Sequence, residues 1–219
     1  SGTTGEISYD FTNGKNAETK TSDRHGREYI HTVCDVKENE KTLFFFAYDD
    51  IESIEYFKKP LKSYWNRNGK TILEAIKEAS DDYENTLKRC NEFSEKLYSD
   101  AVNVGGEKYA ELLLLAYRQV IAAHKLVLDE NGEILYISKE CNSNGCAATV
   151  DVSYPSTPLF LLYNPELVKG MMRPIYKYAQ SEVWTFDFAP HDVGQYPLVN
   201  GQVYGENKLK YQMPVEECG

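Results

Sequence analysis

ILEAIKEASDDYENTLKRCNEFSEKL (residues 72–97) and EKYAELLLLAYRQVIAAHKLVL (residues 107–128) decide how this chain folds. In the first stretch Ile72, Ile76, Ala79, Tyr83, Leu87, Cys90 and Leu97 recur at 3.6-residue spacing, with charged residues filling the opposite face. The spacing predicts one long amphipathic helix, ended at Val104-Gly105-Gly106. A second helix is predicted from about Glu107 to Leu128, with Ala110, Leu113, Leu114, Tyr117, Ile121 and Leu128 as its stripe. The short glycine junction makes the two an antiparallel pair. His124, on the second helix, reads as a packed or capping histidine rather than a ligand.

Upstream the texture is different. Residues 1–27 are polar and rich in Gly, Thr, Asn and Lys, and read as loops or a sheet edge. Tyr29 to Val36 and Thr42 to Tyr48 are β-branched and aromatic runs separated by a charged turn, the pattern of a hairpin. A lone hairpin is marginal in water, so this one should belong to a larger sheet. Ser53 to Gly69, with Pro60 and Trp65, reads as a connector.

Downstream of Gly132, Ile134 to Ser138 reads as a strand and Cys146 to Tyr154 as an extended run. Thr157 to Tyr163 and Glu166 to Gln180 read as helices, with Pro165 suited to a first turn. From Trp184 onward the chain is aromatic, Gly- and Pro-punctuated loop. A compact domain seldom carries so long a structureless loop unless the loop is functional.

Composition narrows the function. The chain has 219 residues and 42% hydrophobic content, enough for a sizeable core. A net charge of −10 and a pI near 5.0 exclude a duplex nucleic-acid binder, which needs a basic face. No segment approaches the ~20 apolar residues of a membrane span. Residues 1–5 show no charged region followed by an apolar one, so no signal peptide is visible. Seventeen tyrosines against nine phenylalanines suit a wet or carbohydrate-facing cleft. Five cysteines leave at least one unpaired within the chain, although Cys141 and Cys146 flank a turn and are placed to bridge. There is no C-x-x-C and the four histidines are scattered, so no metal site is expected. Neither a nucleotide-binding glycine loop nor a G-x-S-x-G or S-x-x-K motif is present, so no cofactor and no serine nucleophile are expected.

The polar loops after Ile137 hold the candidate chemistry. Glu140, Asp151, Asp192, Glu216 and Glu217 recur there beside Gly and Pro, and His191 adds a group that titrates near neutrality. Hydrolysis of a stable bond needs one carboxyl held protonated and another held ionised. Cys146 or Cys218 with His191 is the thiol alternative; a structural role suits either cysteine better.

Ile137-Ser-Lys-Glu-Cys141, Ser143-Asn-Gly-Cys146, Thr149-Val-Asp-Val-Ser-Tyr-Pro155, Pro158-Leu-Phe-Leu-Leu-Tyr-Asn-Pro-Glu166, Pro190-His-Asp-Val-Gly194 and Pro214-Val-Glu-Glu-Cys-Gly219 together resemble the central domain of the glutaminase A family. The resemblance runs from about Lys70 to the end, and residues before it look more loosely like the end of that family's preceding β-rich domain. It implies an α+β chain: the edge of a β-rich domain over 1–65, then part of an α/α toroid of the six-hairpin glycosidase-like group over 66–219. It further implies a secreted or periplasmic protein and hydrolysis of L-glutamine to L-glutamate and ammonia. A full toroid needs many more helices than are legible here, so the chain reads as a piece of one, with uncovered faces prone to self-association.

Under the family reading, Asp192 is the general acid or base and Glu216 or Glu217 its partner. Asp151, His191, Glu140, Trp184, Tyr196 and Arg173 then line the substrate site, with Arg173 or Lys139 as the cation for an α-carboxylate. The alternatives are a glycoside hydrolase, whose paired carboxyls would act on a glycan flanked by Trp184 and Tyr196, and a non-catalytic carbohydrate-binding module. The expected partner is therefore a small molecule or a glycan, with no nucleic acid and no membrane.

Overall fold

The computed structural model describes residues 9–10, 15–16, 20–22, 28–30, 38–39, 43–140, 142, 144–208 and 212–218. The chain divides into two compact units, Ser1–Ala47 and Tyr48–Gly219. The first holds two antiparallel ribbons, β1 (Tyr9–Asp10) with β2 (Lys15–Asn16) and β3 (Lys20–Ser22) with β4 (Glu28–Ile30). The hairpin expected from Tyr29 to Tyr48 is not what forms. Tyr29 pairs backwards with Thr21, and Leu43 to Tyr48 carry no strand. The rest of that call, 31–37 and 40–42, lies outside the described residues. Leu43, Phe44, Phe45 and Phe46 are exposed. Strand preference is mostly a fit to a half-buried pleated surface, and this run has no such surface.

The second unit opens with an antiparallel hairpin, β5 (Ile54–Tyr56) and β6 (Lys59–Leu61), inside the segment expected to be a connector. β5 also pairs in parallel with β9 (Leu198–Val199), giving the sheet order β6-β5-β9. That pairing ties residues 54–61 to the C-terminal segment of the same unit.

The predicted long helix is two. Thr71 caps α1 (Ile72–Asp81) through a reciprocal pair: Glu74 N donates to Thr71 Oγ1 at 3.3 Å and Thr71 N donates to Glu74 Oε2 at 2.8 Å. α2 (Tyr83–Gly105) restarts beyond Asp82, whose carboxylate accepts from Thr86 Oγ1 at 2.7 Å and Asn85 Nδ2 at 2.9 Å. Such local side-chain bonding competes with an unbroken helix. Gly106, at φ 80°, turns the chain into α3 (Glu107–Ala122). Phe93 and Tyr117, on opposite sides of that turn, meet at 5.1 Å, so α2 and α3 are antiparallel. Only Leu97, Ala101 and Ala110 are buried on these helices, and Leu73, Leu87, Leu112, Leu115 and Ile121 stay exposed.

α3 stops at Ala122, and His124–Leu128 is a strand, β7, rather than the last turns of a helix. It pairs antiparallel with β8 (Ile134–Ser138) across a turn that Asp129 Oδ1 closes by accepting from Asn131 N and Glu133 N. Lys125-Leu-Val-Leu128 fits either period; the adjacent turn and partner strand decide it. His124 Nδ1 donates to Val120 O at 2.6 Å, and the ring stacks on Tyr136. The expected extended run 146–154 keeps only bridge contacts at Cys146 and Ala147 before α4 (Val150–Ser153) begins. α5 (Thr157–Tyr163), α6 (Pro165–Ala179) and a C-terminal turn of helix, α7 (Pro214–Cys218), complete the chain. α6 lies on β8 so closely that a Cβ at Gly170 would sit 3.0 Å from Tyr136 N. The core formed there includes Ile54, Val127, Leu135, Ile137, Ile175, Tyr178, Trp184, Val193 and Val199. It is an α+β chain, and its core carries the loops that build the site.

Candidate active site

Three loop segments are laced together at the end of β8. Ala148 N donates to Ser138 O at 3.0 Å and Thr149 N to Ser138 Oγ at 3.1 Å. Val150 N donates to His191 O at 3.0 Å, Val193 N to Ala147 O at 3.0 Å, and Ala147 N to Gly194 O at 2.7 Å. These bonds bring 138–140, 146–151 and 190–194 side by side. α7 packs on α4, which adds Glu217.

Asp192 is fully buried and its carboxylate is saturated. Oδ1 accepts from Gly194 N at 3.0 Å and Val203 N at 2.9 Å. Oδ2 accepts from Tyr204 N at 3.1 Å and from His191 Nδ1 at 3.0 Å. An ionised carboxylate has no proton to give, so Nδ1 carries the hydrogen. The Cys146 thiol donates to Asp192 as well, and burial above all, with the charges of Asp192, Glu140 and Asp151, pushes that thiol up to about 12. It stays protonated at neutral pH, which removes Cys146 as a thiolate nucleophile. Cys218 is exposed at the chain's C-terminal turn.

The His191 ring is buried and packs against Tyr204 with centroids 4.4 Å apart. Its Nε2 faces Asp151 Oδ1 at 3.7 Å. Burial pulls its pKa down, but the Asp192 hydrogen bond and the charges of Glu217, Asp192 and Asp151 outweigh that, and the net shift is upward.

Glu217 is 5% exposed, and neither of its carboxyl oxygens accepts a hydrogen bond from a described residue. Burial pushes its pKa to about 7; His191 opposes the rise, while Asp151, Asp192 and Glu216 add to it. Glu140 is raised too, first by burial and then by Asp151, with a buried Oε2 that has no partner. Asp151 Oδ1 is likewise buried without a hydrogen bond. Among the described residues, Cys146, His191 and Asp192 are the group whose ligand atoms fall within 4.8 Å of one another. Their polar atoms already bind each other and the backbone, so the trio is a hydrogen-bonded knot.

Of the sequence candidates, Glu140, Asp151, His191, Asp192 and Glu217 stand together. Glu216 points outward. Trp184 does not line a cleft: it is buried in the core, and its Nε1 donates to Phe188 O at 2.7 Å. Arg173 is held on α6 against β8, donating to Ile134 O at 2.7 Å and pairing with Glu133 at 3.3 Å. Tyr196 is half-buried beneath Lys139, whose Nζ lies 5.0 Å from the ring centroid. Tyr204, the ring over His191, was among the undifferentiated aromatics of the tail, where spacing gives no sign of it.

Gly194 holds the knot shut. At φ +149°, a Cβ there would meet Leu198 O at 1.9 Å, backbone against side chain. Gly194→Ala should therefore cost on the order of 3 kcal/mol or more in a denaturant titration. An unchanged midpoint would mean that the 194–198 turn is not formed this way.

The model of the "Glutaminase A six helical-hairpin domain" matches residues 106–219, and a "Domain of unknown function (DUF5127)" matches residues 6–100. A Glutaminase A of Aspergillus oryzae is 32% identical over 190 residues, taking in 84% of this chain and 27% of that protein. A probable glutaminase of Arthroderma benhamiae is 34% identical over 128 residues, 58% of this chain and 14% of that protein. The chain thus spans about a quarter or less of these curated relatives. No solved structure matches it. The hairpin-domain match covers more than half of the chain and takes in every member of the Asp192 knot and the carboxyls around it, and on that ground this chain belongs to the glutaminase A family.

Proposed function

We propose that this chain carries the acid–base groups of an amidohydrolase that converts L-glutamine to L-glutamate and ammonia. The observation behind the reading is Glu217: a buried carboxyl without a hydrogen-bond partner, poised near pH 7 beside a histidine whose own pKa is raised. A group poised there can take a proton and return it at the working pH. The names of the two relatives, a glutaminase and a probable glutaminase, support the choice of bond.

Ionised Glu217 takes a proton from water as the water oxygen bonds to the side-chain amide carbon. The carbonyl oxygen becomes an oxyanion, and His191 in its imidazolium form, which the raised pKa favours, donates its Nε2–H to it. The C–N bond then breaks, the Glu217 proton passes to the departing nitrogen, and ammonia and glutamate result. Asp192 acts through His191, fixing its tautomer and charge. A glycan reading loses one of its two stacking rings, because Trp184 is inside the core.

The test is release of ammonia and glutamate from L-glutamine by the folded full chain, run beside a panel of aryl glycosides. Turnover of glutamine alone is the expected result. A folded protein that cleaves a glycoside and leaves glutamine untouched sinks the proposal.

A further inference from the structure

We infer that Glu140 and Asp151 form a subsite for the ligand's ammonium group, so that the site selects a free amino acid by its cationic end. The inference rests on the amidase reading and names what that site recognises besides the amide. The charges point this way. Glu140, Asp151, Asp192 and Glu217 surround one imidazole, and the two cations expected for an α-carboxylate are elsewhere: Arg173 on Ile134 O and Glu133, Lys139 over Tyr196. Asp192 is saturated and balances His191. That leaves two buried oxygens without a hydrogen bond, Glu140 Oε2 and Asp151 Oδ1, the second 3.7 Å from His191 Nε2, as acceptors open to a ligand's donors. Glu217, 95% buried and without a hydrogen-bond partner, lies within reach of the Asp151 charge on the same side of the imidazole. Buried acceptors without donors are costly, and a ligand that brings donors relieves the cost.

A metal ion fits less well than an ammonium group. The ligand atoms that converge within 4.8 Å belong to the saturated Cys146–His191–Asp192 knot, and the Glu140–Asp151–Glu217 trio is not such a group. An ammonium group has three donors on a wider radius and stays engaged by two carboxylates.

The experiment compares L-glutamine with two halves of it on the full chain. 4-Aminobutanamide keeps the ammonium and the side-chain amide and lacks the carboxylate; glutaramate keeps the carboxylate and amide and lacks the ammonium. Ammonia release and calorimetric binding are both read. The expected result is that 4-aminobutanamide stays within about tenfold of glutamine in kcat/KM and glutaramate falls about 30-fold or more. Glu140→Gln should then shrink the glutamine-over-glutaramate preference about tenfold. Glutaramate processed as well as glutamine overturns the subsite and leaves the amidase reading standing. Ammonia from none of the three, with the two ammonium compounds still binding, overturns the amidase reading and keeps the subsite. No binding by any of them overturns both, and a preference untouched by Glu140→Gln removes Glu140 from the subsite.

Discussion

Glu217→Gln lowers glutamine turnover by about 100- to 10,000-fold, the usual worth of a positioned proton carrier, and leaves the protein more stable than the parent at pH 8. The two effects have one cause. The carboxyl titrates near 4.5 when free and near 7 in the fold, so the folded state holds its proton more tightly. Below pH 4.5 the group is neutral in both states and costs nothing. Between 4.5 and 7 the unfolded chain releases the proton first, and stability falls with rising pH. Above 7 the loss is complete, on the order of 3 kcal/mol. Glutamine at this position never ionises, so the variant lacks that slope, and urea titrations at pH 5 and pH 8 measure the difference. His191, also raised, contributes in the same direction, since its stabilisation is lost as pH rises through its folded pKa. The parent's kcat/KM should rise with pH through about 7 as Glu217 ionises, and the limb should vanish in the variant. A destabilised variant, or one that keeps the limb, removes Glu217 from the proposed chemistry. Lower activity with higher stability is the mark of a group kept for function against the interest of the fold.

Local signals made part of this legible. Pro165 at a first turn and the 3.6-residue pattern behind it yield α6 within a residue at each end. The short apolar run from Ile134 after the turn at Gly132 yields β8 to the residue. What stayed hidden depends on partners far away in sequence. The β5–β9 pairing joins Glu55 to Leu198, and nothing near either residue announces the other. Lys125-Leu-Val-Leu128 serves a helix or a strand equally, so its neighbours choose. Side-chain direction was equally out of reach. Trp184 and Arg173 have the right chemistry to line a cleft, but the turn after α6 buries the indole and β8 holds the guanidinium. Residues 191 and 192 could be singled out from adjacency alone. That Asp192 is saturated could not, because three of its donors are backbone N–H groups, at 194, 203 and 204.

That saturation yields the second large effect. Asp192→Ala strips acceptors from three backbone N–H groups, the imidazole and the Cys146 thiol at once, in a place water does not reach. It should cost about 3–5 kcal/mol, enough to unfold a domain of ordinary stability. Asp192→Asn is the gentler probe and separates two roles. Its amide keeps one acceptor oxygen but presents an NH₂ group and no charge, so His191 loses its fixed tautomer and the hydrogen bond that raises its pKa. Turnover should drop about 1,000- to 10,000-fold, as when the orienting carboxylate of a His–Asp pair is neutralised. The deciding readout is the imidazole itself. With the carboxylate neutral, burial is left to dominate and the His191 titration seen by NMR should move down in pH. The Glu217-dependent limb of the rate profile should persist in whatever activity remains. A proton-transferring Asp192 would give the reverse, a limb abolished by Asp192→Asn with the His191 titration little changed. The first pattern makes Asp192 the clamp on His191 and Glu217 the carrier; the second returns the proton to Asp192.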